Sequence, residues 1–259
     1  NTGALTLSGT NTGSGAFTLT GGTLNLNSAT ALGSGLFTIG AGTTLNTTGG
    51  AITLTNNNAQ VWNGDYTFTG ANNLNLGTGA VTMSNSVALT TTTTANSLTV
   101  GGNIGDGGNN RNLTKSGGGT LVLTGANTYG GVTTIASGVV RITGATGLGS
   151  TAGGTIQTGV STLELDGTGG AFTVGAEALT IRGLGNLLPT PNLGALRNIA
   201  GNNTYGGTVT MAIQSRINSD SGTLTLSNPT SVSATNLTLV VGGAGNLTIS
   251  GAIATGTGG

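Results

Sequence analysis

The chain has 259 residues, 52 of them Gly, with no Cys and no His, and six basic groups balance six acidic ones. A neutral chain without a basic run lacks the clustered Lys and Arg that displace counterions from nucleic acid. Disulfides and thiolate metal sites are excluded, and no stretch approaches the ~18 consecutive apolar residues of a membrane-spanning helix.

From the N-terminus onward one triplet recurs, apolar–Thr–apolar. It appears as Leu5-Thr6-Leu7, Phe17-Thr18-Leu19, Phe37-Thr38-Ile39, Ile52-Thr53-Leu54 and Tyr66-Thr67-Phe68. Val81-Thr82-Met83, Leu98-Thr99-Val100, Phe172-Thr173-Val174, Leu179-Thr180-Ile181 and Val209-Thr210-Met211 continue it, and Leu224-Thr225-Leu226, Leu237-Thr238-Leu239 and Leu247-Thr248-Ile249 end it. Side chains alternate between faces along a strand, so each unit buries two residues and shows one hydroxyl. Gly, Asn and Ser between the units supply turns with positive φ.

Eight aromatics and many short strands would pack poorly around a single centre. Stacked repeats bury the same apolar faces against their neighbours. The pattern therefore predicts an all-β solenoid of about a dozen rungs of roughly 20–25 residues, three strands and three turns each, without significant helix. At ~4.8 Å per strand the rod would be about 50–60 Å long. Residues 1–64 and 221–259 carry no ionisable side chain, and such surfaces associate readily.

A longer repeat overlies the triplet. Residues 3–34 align without a gap on 119–150, with 14 of 32 positions identical, among them Gly3/Gly119, Gly9/Gly125, Asn11/Asn127 and Gly15/Gly131. One continuous solenoid over 1–259 is expected, with degenerate copies at about 1–118 and 119–259. Pro189 and Pro191 remove ladder donors, which places a loop or bulge near 187–199. The tail after Gly251 reads into the beginning at Gly3 as one copy reads into the next. That seam suggests a longer tandem array or tail-to-head stacking.

Leu113-Thr-Lys115, Gly119-Thr-Leu-Val-Leu123, Gly125-Ala-Asn127-Thr-Tyr129 and Gly131 resemble, in order, the autotransporter-associated β-strand repeat of bacterial autotransporters and related giant surface proteins. The segments around Tyr205 and Ser221–Leu226 look like a second, weaker copy. The resemblance implies a right-handed parallel β-helix, secreted and displayed, with adhesive or scaffolding work.

Candidate chemistry is sparse. Glu164 and Asp166 lie two residues apart on Leu163-Glu-Leu-Asp166 and would both point outward, as an acid/base pair for glycoside hydrolysis or, on the blander reading, as solvated surface groups. Gly101-Gly-Asn-Ile-Gly-Asp106 is similar to a calcium-binding nonapeptide, but one Asp without periodic copies favours a plain turn. Trp62, Tyr66 and Phe68 would make a sugar-stacking platform if exposed; Tyr66 and Phe68 share the core-facing pattern. Thr90–Thr94 and scattered Thr-x-Thr pairs raise ice binding, without a constant spacing to sustain it. Leu5, Leu7, Leu121, Leu123, Phe172 and Ile181 are assigned to the core, and Tyr129 and Tyr205 to matching corners of the stack.

The expected function is a non-enzymatic extracellular or cell-surface structural protein: a stalk, fibre unit or adhesive passenger segment, without cofactor. Its partners would be itself, by end-to-end or lateral association, and host-cell, matrix or polysaccharide surfaces, with neither nucleic acid nor membrane insertion. A polysaccharide-degrading β-helix and a Thr-rich ice-binding solenoid are the alternatives.

Overall fold

A computed structural model describes residues 3–186 and 193–254. Every strand pairing among them is parallel, and the chain coils through about eleven turns of a β-solenoid. No helix among the described residues is long and apolar enough to cross a membrane.

Three faces wrap the coil. The first runs through Ala4–Leu7, Thr23–Leu26, Thr43–Asn46, Tyr66–Phe68 and onward to Ala252–Ala254. The second begins at Ile52–Thr53 and ends at Leu239–Gly242. The eleven-residue strand Val209–Ser219 turns the corner between them and joins both into one sheet. The third face is covered by two separate sheets of five and four strands.

Register explains why the triplet is so persistent. On the second face Leu74, Leu98, Leu121, Val140, Leu163, Leu196 and Ile217 stack in one inward file. All seven are nearly or fully buried. Each such aliphatic side chain contributes roughly 1.5–3 kcal/mol on burial. A one-residue slip would turn the whole file to solvent, so the pattern fixes the register.

The turn length is less uniform than the triplet suggests. Leu5 lies against Leu24, 19 residues on, whereas Leu163 lies against Leu196, 33 residues on. The longest turn contains the segment expected to leave the stack. Its prolines lie outside the described residues, but the expected loop ends earlier than 199. Leu196–Ala200 is a strand paired on both sides, seated by Ala195 N–H donating to Arg216 O at 2.8 Å.

Among the assigned core residues, Leu121, Leu123 and Ile181 are fully buried. Leu7 and Phe172 pack on the core from half-buried positions. Leu5 is a correction: it is 46% exposed, because its strand pairs on one side only. The inward files also carry polar groups. Asn198 is fully buried and donates to Gly201 O and Ser221 O at 2.9 Å while accepting from Asn203 Nδ2 at 2.7 Å.

Candidate functional site

The outward file of the second face holds the two carboxylates singled out as an acid/base pair. Arg141, Glu164 and Arg197 stand in direct register on three adjacent strands. Arg141 Nη2 meets Glu164 Oε2 at 2.8 Å and Arg197 Nη1 meets Glu164 Oε1 at 2.7 Å. Arg197 continues the ladder to Asp220 through Nε at 2.7 Å and through Nη2. Burial alone would lower the Arg197 pKa, but Asp220 and Glu164 raise it.

Glu164 is therefore no solvated surface group. Its side chain is 3% exposed and both oxygens are taken by guanidinium groups. Oε2 accepts from both Nε and Nη2 of Arg141 and Oε1 from Nη1 of Arg197, so the carboxylate is tied to two cations rather than held free as a general base. Asp166 accepts from Thr168 N at 3.1 Å and Thr168 Oγ1 at 2.5 Å, closing a turn. The two acids are thus engaged in separate local structures.

Asp106 is likewise committed to the backbone. Its carboxylate accepts from Gly108 N at 2.9 Å, Arg111 N at 2.8 Å and Gly130 N at 3.1 Å. Burial pushes its pKa up, and these donors outweigh that and hold it below the ordinary value. Three N–H groups converging on a carboxylate oppose a cation site, and no cluster of metal-ligating residues occurs among the described residues.

The aromatic platform is closed in the same way. Trp62, Tyr66 and Phe68 are buried; the Trp62 and Tyr66 rings meet edge-on with centroids 5.3 Å apart. Thr hydroxyls run in single file. Thr44, Thr67 and Thr90 stack, and Thr114, Thr134, Ile156, Thr180 and Thr210 form another file that Ile156 interrupts. Thr92 and Thr93 both donate to Thr69 O, so those hydroxyls secure a corner.

The motif residues each have a mechanical role. Lys115 occupies an inward position between Leu89 and Ile135. Its Nζ donates to Ser116 O and Gly117 O at 2.9 Å and to Ser137 O at 3.2 Å. These three carbonyls match the three ammonium hydrogens, while burial lowers the pKa to about 7. Gly119, Gly125 and Gly131 have no positive φ; they are glycine for want of space. A Cβ would stand 2.6 Å from Thr93 O, 2.3 Å from Gly102 O and 2.3 Å from Arg111 O respectively.

Asn127 spans three turns of the coil. Its Oδ1 accepts from Ile104 N at 2.8 Å and its Nδ2 donates to Gly147 O at 2.7 Å. Tyr129 is fully buried, with its hydroxyl 2.7 Å from Thr133 Oγ1, which in turn donates to Leu148 O at 2.9 Å. Tyr205 is fully buried as well, and its hydroxyl has no hydrogen-bond partner.

A feature that sequence reasoning missed lies on the third face. The five-stranded sheet ends at Ile104–Gly105 and the four-stranded sheet begins at Thr173–Val174. On the two intervening turns this face carries no strand. A cleft of about 520 Å³ opens there, lined by Asn127, Ala145, Leu148, Thr151, Val174, Glu177 and their neighbours. Glu177 is 1% exposed and receives one side-chain hydrogen bond, from Thr155 Oγ1 at 2.9 Å. Burial outweighs that bond and raises its pKa to about 7. The available signal was an acid set among small residues, Gly175-Ala-Glu177-Ala.

A parallel β-solenoid whose motif residues tie turn to turn fits a passenger-type β-helix. Residues 1–26 and 113–142 match the family model of the passenger-associated-transport-repeat. No curated protein and no solved structure matches the chain. The resemblance drawn from Leu113–Gly131 thus coincides with one of the two matched segments.

Proposed function

We propose that the chain is a non-enzymatic structural segment of a bacterial surface protein, an extracellular β-helical stalk or adhesive passenger. The observation that carries this is the ion-pair ladder from Arg141 through Glu164 and Arg197 to Asp220. Four of the few ionisable groups of the chain are spent on joining adjacent turns rather than on a reactive centre. The repeat matches support export to the cell surface.

Self-association is part of the same proposal: residues 1–64 and 221–259 carry no ionisable side chain, and neutral surfaces of this kind associate readily. Negative-stain electron microscopy tests this reading. Rods or unbranched filaments that adhere to matrix-coated grids support it; compact particles with no affinity for any matrix or cell surface would remove it.

A further inference from the structure

The described acids differ in how their charge is met. Glu164 has two guanidinium partners, and Asp106 has three backbone donors. Glu177 is buried with one hydroxyl donor, and none of the ion pairs among the described residues involves it. It also lines the cleft between the two third-face sheets. Burying a carboxyl beside apolar surface is costly unless a counter-charge arrives.

The rest of the cleft indicates what the counter-charge would be attached to. Ala145, Leu148 and Val174 give apolar wall, while Thr128, Ser150 and Thr173 bring hydroxyls to it. No aromatic residue lines it, so the ring cage that holds quaternary ammonium groups is missing. A primary ammonium instead has three hydrogens to donate, and a carboxylate with nearby hydroxyls can accept them. The volume lies within the range of small-molecule sites.

We infer that the cleft bounded by Asn127, Leu148 and Glu177 binds a small primary amine with an apolar body, its ammonium on Glu177 and its body against Ala145, Leu148 and Val174. This goes beyond the scaffold role, which stands whether or not the cleft is occupied. The titratable groups near enough to feel the charge of Glu177 are Tyr129 and Tyr205, whose phenols burial keeps un-ionised. The acid's own ionisation therefore governs binding. Because its pKa lies at about 7, affinity for an amine should rise with pH until the carboxyl is fully ionised.

The test is calorimetric titration of the intact chain with phenethylamine, phenethyl alcohol and hydrocinnamate. Phenethylamine should bind in preference to both, and its affinity should fall about tenfold or more between about pH 8.5 and 5.5. Glu177→Gln, which keeps an acceptor for Thr155, should abolish the preference for the amine. Ala145→Trp should block all three ligands while the circular dichroism spectrum stays that of the wild type. Equal binding of amine and alcohol, amine binding that survives both variants, or no binding of the amine at ~10 mM would each overturn the inference.

Discussion

Asn11 and Asn127 stand 116 positions apart and make the same contact: Asn11 Nδ2 donates to Ala31 O at 2.5 Å, Asn127 Nδ2 to Gly147 O at 2.7 Å. The backbone repeats it, since Ser34 N donates to Gly13 O and Ser150 N to Tyr129 O, both at 2.9 Å. Asn203 does part of the same work, accepting from Phe172 N at 3.1 Å as Asn127 accepts from Ile104 N. At Asn127 the side-chain amide stands on a turn that has no third-face strand, whereas Asn203 sits within one, Asn203–Tyr205. Asn127→Ala would leave Ile104 N–H and Gly147 O without partners inside the stack. It should cost about 2–4 kcal/mol in urea unfolding, while Asn11→Ala, on an exposed turn, should cost about 1 kcal/mol or less.

The Glu164 ladder gives a second expectation. Glu164→Ala leaves Arg141 and Arg197 facing each other with their shared counter-charge removed. Because the two arginines keep 35% and 19% exposure, the loss should be about 2 kcal/mol, below that of a fully buried pair. Adding Arg197→Met should recover part of it. Urea unfolding of the single and double variants checks this; a double variant less stable than the single one would contradict the ladder.

Two buried groups should give the stability an unusual pH profile. Glu177 is raised from 4.5 to about 7, so between those values the folded chain holds a proton that the unfolded chain has released. Stability therefore falls as pH rises through that window. Lys115 is lowered from 10.5 to about 7, so between about 7 and 10.5 the unfolded chain holds the extra proton and stability rises with pH. Each limb can approach ~1.4 kcal/mol per pH unit, with the minimum near neutrality. Glu177→Gln should flatten the acid limb and Lys115→Met the alkaline limb in urea titrations; a flat wild-type profile would contradict both assignments.

Position along the rod should set the cost of identical changes. Leu123 is fully buried in the file of Val100, Ile142 and Leu165, whereas Leu5 is 46% exposed. Leu123→Ala should lose about 2–5 kcal/mol, and Leu123→Asp should abolish cooperative unfolding of the turns around it. Leu5→Ala should cost well under ~1 kcal/mol. Thermal melts of the variants separate these outcomes.

Much of the stack is legible in the sequence because side-chain alternation has one physical cause. Leu121 and Leu163 carry the period-two signal that burial in a file demands. Leu5 carries the same signal and is exposed, because periodicity records which way a side chain points and not whether a neighbouring strand covers it. Glu164 reads as an outward acid, and it is one; its burial comes from Arg141 and Arg197, 23 and 33 residues away, which enter the contact only through register. Glu177 and the cleft were hidden for the same reason. The gap they occupy exists because two successive turns lack a third-face strand, and Gly144–Gly149, which fills one of them, looks in sequence like any other turn.

The most direct test of the scaffold account is a reducing-end assay of the wild-type chain and Glu164→Gln against a panel of bacterial, plant and matrix polysaccharides. The ion-pair ladder predicts no release of reducing ends by either protein, with Glu164→Gln differing only in a lowered melting temperature. Cleavage by the wild type that disappears in Glu164→Gln would contradict it.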